Sequence, residues 1–268
     1  MVRSVAERAG IPARHVLEEF GDMMILTGRT IWSALRPPYP YGGELVSQFL
    51  FTLRLVWFPL LVSTVAIDYG APGLQAAGFL RIFGALDRLG GFFVIEAIRE
   101  IGPFITAIVV AGVAGTAITA DLGARKVREE LDALQVLGVD PVKNLVVPRF
   151  LALMIVTGLF NIYGLLFGIF GGIVTAVTKG QPLGPFWTTL LANVTTTDLW
   201  GSVLKTTLFG AIIAIVCCYK GMSASGGAEG VGRAVNQAVV IAFLAIFAFN
   251  YVFEQTLLAT HPELLIIK

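Results

Sequence analysis

Three observations predict an all-α integral membrane protein. Of 268 residues, 56% are apolar and only 14% charged, with a mean hydropathy of +0.81, whereas soluble domains run near about 25% charged. The apolar residues also gather into runs of the roughly 20 that a helix needs to cross a bilayer core of about 30 Å. The polar segments between those runs carry their basic residues unevenly, as membrane topology requires.

The same composition excludes several function classes. Nineteen Lys and Arg against eighteen Asp and Glu give a net charge of +1, with no basic field for nucleic acid. Cys217 and Cys218 are adjacent inside an apolar run, which suits neither a disulfide framework nor a metal site. His15 and His261 stand at opposite ends of the chain. No metal centre and no catalytic residues are expected, and the composition argues against a hydrolase.

Residues 1–44 form the first unit. They carry charges of both signs and lack the uninterrupted apolar region of a removable signal peptide, so the segment is expected to be retained. Between 16 and 35, Val16, Phe20, Met23, Met24, Thr27 and Ile31 recur at three- and four-residue steps, with Glu18, Glu19, Asp22 and Arg29 elsewhere on the wheel. This reads as an amphipathic interfacial helix on the cytoplasmic leaflet.

Residues 45–268 form the second unit, the membrane domain. Five spans are expected: 45–67, containing Arg54 and Pro59; 101–120; 150–178; 199–219, containing Lys205; and 234–253. The stretch 73–98 is interrupted by Arg81, Asp87, Arg88 and Glu96 and is expected to be interfacial or re-entrant. Segments 1–44, 121–149 and 220–233 together hold twelve Lys and Arg, against five on the other side (Arg81, Arg88, Arg99, Lys179 and Lys268). The positive-inside rule then places the N-terminus in the cytoplasm and the C-terminus outside, in a multi-pass protein.

Two spans carry strips of small residues at four-residue spacing. Ala107, Ala111, Gly115, Thr119 and Gly123 line one helical face, and Gly164, Gly168, Gly172 and Ala176 line another. Such strips let helices approach closely, within a protomer or at a dimer seam. Arg54, Glu100 and Lys205 lie in or at the edge of spans, where a charge is costly and faces a wet cavity, an opposite charge or the interface.

The loop 121–149, DLGARKVREELDALQVLGVDPVKNLVVPR, is too polar to cross a membrane. A helix over about 124–137 is expected, stopped by Gly138 and Pro141. Val127, Leu131 and Leu134 would form its apolar stripe, with Arg125, Lys126, Arg128, Glu129, Glu130 and Asp132 on the remaining face. By spacing alone it is equally a docking face or a solvated linker. Glu129 and Glu130 are no acid–base pair, because neighbouring helix residues point apart. The stretch GGAEGVGRA at 226–234 lacks the Lys-Ser/Thr of a phosphate loop and any preceding strand, so no nucleotide is expected on this chain.

The run 99–148, REIGPFITAIVVAGVAGTAITADLGARKVREELDALQVLGVDPVKNLVVP, together with the Gly-rich 226–234 stretch and the order of spans, resembles the signature of the MlaE/YrbE permeases. These are the membrane subunits of MCE-associated ABC lipid transporters, and the likeness is to their actinobacterial and mycobacterial YrbE-like form. The resemblance implies a non-catalytic permease of the inner membrane, paired with a second permease as a homodimer or with a paralogue. It implies two cytoplasmic ATPases that bind ATP and Mg, MCE-domain proteins outside, and a lipid substrate. It makes the 124–137 helix, with Val127, Glu129, Glu130, Leu131, Asp132 and Leu134, the coupling helix to the ATPase. It places Glu100 and Lys205 beside the lipid chamber, with Arg54 a further candidate on energetic grounds. The polar fifth-span position of the family falls at Asn250. Two other readings stay open on the residues alone: an ion- or proton-coupled secondary transporter using Glu100 and Lys205 as a relay, and a structural membrane anchor of an extracellular complex.

Overall fold

The computed structural model describes the backbone of residues 2–265 and the side chains of residues 16–262 and 264. The side chains of Arg3, Arg8, Arg14, His15 and Lys268, used in the reading above, lie outside the described residues. No strand occurs among the described residues, and five helical segments are long and apolar enough to cross a membrane: Gly42–Ile82, Leu86–Val127, Val142–Thr178, Thr196–Met222 and Gly227–Thr260. The protein is an all-α, multi-pass membrane protein.

Helix α1 (Val2–Leu35) precedes the spans. The first span comprises α2 (Gly42–Asp68), a π-helical stretch Tyr69–Gln75 and α3 (Ala76–Ile82). The second begins with a 3-10 turn Leu86–Arg88 and α4 (Leu89–Phe93), passes through a π stretch Val94–Ile101 into α5 (Gly102–Val110), and through another, Ala111–Gly115, into α6 (Thr116–Val127). A short connector helix α7 (Glu130–Val136) follows. The third span opens with a π stretch Val142–Val146 and runs on as α8 (Val147–Thr178). Then come α9 (Leu183–Asn193), α10 (Thr196–Met222), α11 (Gly227–Thr260) and a 3-10 turn Pro262–Leu265.

Proline explains most of the irregular winding. Pro72 lies inside one π stretch, and Pro103 and Pro148 each follow just after another. Proline has no N–H and its ring crowds the carbonyl four residues earlier, so the helix widens rather than breaks.

The stretch 73–98 is neither re-entrant nor a separate interfacial helix. Its first part continues the first span to Ile82, its second part starts the next span at Leu86, and a tight turn with Gly84 at φ +64° joins them. Arg81, Asp87 and Arg88 flank this tip, whereas Glu96 lies further along, in the π stretch Val94–Ile101. At 41 residues the first span is about 60 Å long, roughly twice a hydrocarbon core, so it projects beyond the core.

Chain order fixes two ends. The α7 end gathers Gly42, Val127, Val142, Met222 and Gly227, and the α9 end gathers Ile82, Leu86, Thr178, Thr196 and Thr260. The main core joins Val56 and Leu60 of α2 to Leu153 and Val156 of α8, Phe209 and Ile213 of α10, and Ala242 and Ile246 of α11. A second core at the α9 end joins Leu89, Phe93 and Val94 to Leu165, Phe186 and Leu190, with the Phe93 and Phe186 rings 5.8 Å apart. Span α10 is the most enclosed, while the first and fifth present apolar surface outward.

Helix α1 turns Met23, Leu26 and Thr30 to this body and leaves Val16, Leu17, Phe20, Met24, Ile25 and Trp32 exposed. It is fastened by a Glu19–Lys220 ion pair and by Tyr219, which donates to Asp22 at 3.3 Å.

Candidate functional site

The motif Arg-Glu-Ile-Gly-Pro at 99–103 builds the centre of the site. Pro103 has no N–H to offer the Arg99 carbonyl four residues earlier. Lys205 Nζ, from about a third of the way along the most enclosed span, donates to that carbonyl at 2.6 Å. It also contacts Glu254 at 3.1 Å and Glu100 at 3.9 Å. Asn250 Nδ2 donates to Glu100 at 3.0 Å, while its own side-chain oxygen has no partner among the described residues. Exposure is graded: the Lys205 side chain is 1% exposed, Glu254 12% and Glu100 36%. The group is therefore sealed at the lysine and open at Glu100.

Glu100, Lys205 and Asn250 meet as one group, and Arg54 stays apart. Arg54 is exposed on the α7-end half of the first span, where it lines a shallow groove with Ser47, Leu50 and Phe51. Sequence reasoning passed over Glu254. It stands four residues after Asn250 on the same helical face, so the i, i+4 rule could have found it.

Arg99 points the other way. Its Nε contacts Asp198 at 2.6 Å and its Nη1 donates to the Leu264 carbonyl at 2.5 Å. Asp198 also closes a capping box with Thr195 at the start of α10. Arg99 thus pins the C-terminal turn over the α9 end of the bundle, and Lys205 is left with two carboxylates of its own. Phe253 lies 5.9 Å from Lys205 Nζ, and the Phe104 and Phe247 rings, near Glu100 and Asn250 in sequence, meet at a tilt with centroids 4.6 Å apart. A fixed ammonium beside a surplus, partly open carboxylate and an apolar wall can receive an amphipathic molecule whose head carries charge.

The small residues lie at close helix contacts. Ala107 and Ala111 are fully buried. A Cβ on Gly115 would come within 2.8 Å of Cys217 Sγ, one on Gly164 within 3.1 Å of Thr106 Oγ1, and one on Gly172 within 2.8 Å of the Phe93 ring. Gly168 seats the Asp68 carboxylate, which is buried and has no hydrogen-bond partner among the described residues.

The connector departs from the expected single helix over 124–137. Helix α6 ends at Val127, and Glu129 adopts a left-handed conformation, φ 60°, before α7 begins at Glu130. Ion pairs brace the break: Lys126–Asp132 at 3.0 Å and Arg128–Glu130 at 2.7 Å. The second of these raises the Arg128 guanidinium above its ordinary pKa through the hydrogen bond to Glu130. Because the break rotates α7, the Val127/Leu131/Leu134 stripe does not form one outward face. Leu131 is buried and Leu134 packs on the main core, while Val127 is left on the surface. The outward apolar tip is instead Val136, 88% exposed, and Leu137, 77% exposed. Gly138, at φ +75°, and Pro141 then turn the chain into the third span.

At the base of this connector Arg149 is buried, its side chain 1% exposed. Nη2 contacts Asp121 at 2.7 Å, and Nη1 donates to the Leu145 carbonyl at 2.8 Å and approaches Glu44 at 3.5 Å.

A family model described as "Permease MlaE" matches residues 48–256. A probable ABC transporter permease protein of Rickettsia bellii is 30% identical over 257 residues, covering 95% of this chain and 98% of that protein. A probable ABC transporter permease of Synechocystis is 36% identical over 179 residues, 66% of this chain and 68% of that one. The intermembrane phospholipid transport system permease protein MlaE of Haemophilus influenzae is 31% identical over 182 residues, 67% of this chain and 70% of that one.

Proposed function

The chain belongs to the MlaE permease family, and from that premise we propose that it moves phospholipid between its membrane and an MCE assembly outside, driven by partner ATPases. The observation that carries this reading is the Lys205 group. An ammonium buried among spans costs at least about 2.5–3.5 kcal/mol on insertion scales, and here it is kept beside two carboxylates, one of them open to the exterior of the protomer. A headgroup phosphate would replace Glu100 at Lys205. A cationic headgroup nitrogen would meet the freed carboxylate, and the acyl chains would lie against Phe104, Phe247 and Phe253. A second permease, the same chain or a paralogue, would close this open side into a chamber.

The α7 end faces the cytoplasm in this reading, in accord with its excess of basic residues, and the α9 end carries the MCE proteins. Val136 and Leu137 form the apolar tip that enters a groove of the ATPase, with the surrounding charges setting register. Each of two ATPases binds ATP and Mg, and this chain supplies no catalytic group.

The test is reconstitution of the permease with its co-purifying ATPase in liposomes carrying a fluorescent phospholipid, followed by transfer to acceptor protein. ATP should drive transfer. Glu100→Ala should slow it about tenfold, equivalent to about 1.4 kcal/mol of headgroup binding. Transfer that neither needs ATP nor responds to Glu100→Ala would overturn the reading.

A further inference from the structure

We propose that Arg149 is the positioning residue that closes the 121–149 connector into one rigid lever, so that displacement of α7 moves the first three spans together. The inference rests on reading α7 as the ATPase contact. Asp121 and Arg149 stand 28 residues apart in sequence, at the two feet of the connector, and meet at 2.7 Å. The same guanidinium holds the Leu145 carbonyl in the π stretch that starts the third span, and approaches Glu44 in the first turn of the first span. One side chain therefore bridges the starts of two spans and the end of a third.

Inside the loop, the α6–α7 break is braced by its own ion pairs, and Leu131 seats α7 on the core. A push on Val136 and Leu137 therefore reaches the spans both through the Leu131 and Leu134 seat and through the feet. Arginine suits this position because its planar fork engages several acceptors at fixed angles, which a lysine cannot do.

Stability alone does not account for the residue. The partners Asp121 and Glu44 are 42% and 35% exposed and can hydrate by themselves. Only Arg149 is desolvated, and burying a cation is commonly matched or bettered by an apolar side chain of similar volume. A residue that is costly to bury and has hydratable partners is accounted for by the geometry it imposes.

The test uses Arg149→Lys in the permease–ATPase complex, with two readouts. Hydrogen exchange should quicken together, about fivefold, at amides 43–47, 121–128 and 142–148. ATP consumed per lipid transferred should rise about fivefold, the low end of ordinary coupling energies. Faster exchange confined to residues next to 149, or an unchanged ATP-to-lipid ratio while both rates fall with yield, would overturn the proposal. Asp121→Asn alters a partly exposed side chain and gives the same readouts if Arg149→Lys does not fold. A wild-type complex that moves no lipid would count against the transport reading, while the exchange pattern would still decide the tie.

Discussion

Arg149 at the α7 end and Lys205 toward the α9 end are equally buried, and each lies near two carboxylates, yet they differ in which partner can be exchanged. The guanidinium is held from three elements, and its carboxylates face outward. The ammonium is held by a proline-freed carbonyl and by Glu254, and its single loose partner, Glu100 at 3.9 Å, is the group that opens to the exterior. A multidentate cation with hydrated partners fixes geometry. A point charge with one replaceable partner can trade it for a ligand. On the two proposals, a similarly buried charge serves transmission at one end of the bundle and recognition toward the other.

That contrast fixes an order of effects. Lys205→Met strands Glu254, which is largely enclosed, and should lower stability in detergent by about 3–5 kcal/mol. The double variant Lys205→Met/Glu254→Gln should recover most of the loss, with thermal melting as the measurement. Next comes Glu254→Gln, which leaves Lys205 with the Arg99 carbonyl and the distant Glu100. It should cost about 1.5–3 kcal/mol, the range for hydrogen bonds to charged groups, whereas Glu100→Gln should cost under about 1 kcal/mol because that carboxylate is partly solvated. Equal costs for the two would erase the proposed difference between fixed and replaceable partner.

Arg149→Met should change stability by about 1 kcal/mol or less, since Asp121 and Glu44 hydrate when the cation leaves. A loss as large as that of Lys205→Met would make Arg149 a structural ion rather than a tie. The smallest stability effect belongs to the tip. Val136→Asp with Leu137→Asp should stay within about 0.5 kcal/mol, as for other surface substitutions, and yet abolish co-purification of the ATPase.

Much of the architecture was legible in the sequence because it is written in local hydropathy. Five apolar runs became five spans with longer ends, and the amphipathic stretch 16–35 lies in a helix with one face on the body and apolar residues exposed on the other. The stretch 73–98 misled because three of its four charges, Arg81, Asp87 and Arg88, sit at a helical tip. Glu129 gave no warning of a helix break: the segment has no glycine or proline there, and the ion pairs that span its left-handed backbone follow no i, i+3 or i, i+4 pattern.

The charged groups were half legible. Glu100 and Lys205 stood out as charges in or at the edge of apolar runs, Asn250 came only from the family resemblance, and Glu254 was hidden because it falls where the apolar run ends. Arg149 looked like an ordinary loop cation. Its burial depends on Asp121 and Glu44, which no local pattern links to it.

The central claim, that the Lys205 group meets the lipid head, is tested most directly by photocrosslinking in native membranes. A photoreactive side chain replaces Glu100 in one sample and Phe51, in the groove beside Arg54, in another. The account predicts that position 100 captures phospholipid and that ATP with the assembled ATPase changes the yield several-fold, while capture at position 51 is indifferent to ATP. Equal, ATP-insensitive capture at both positions, or none at position 100, would contradict it.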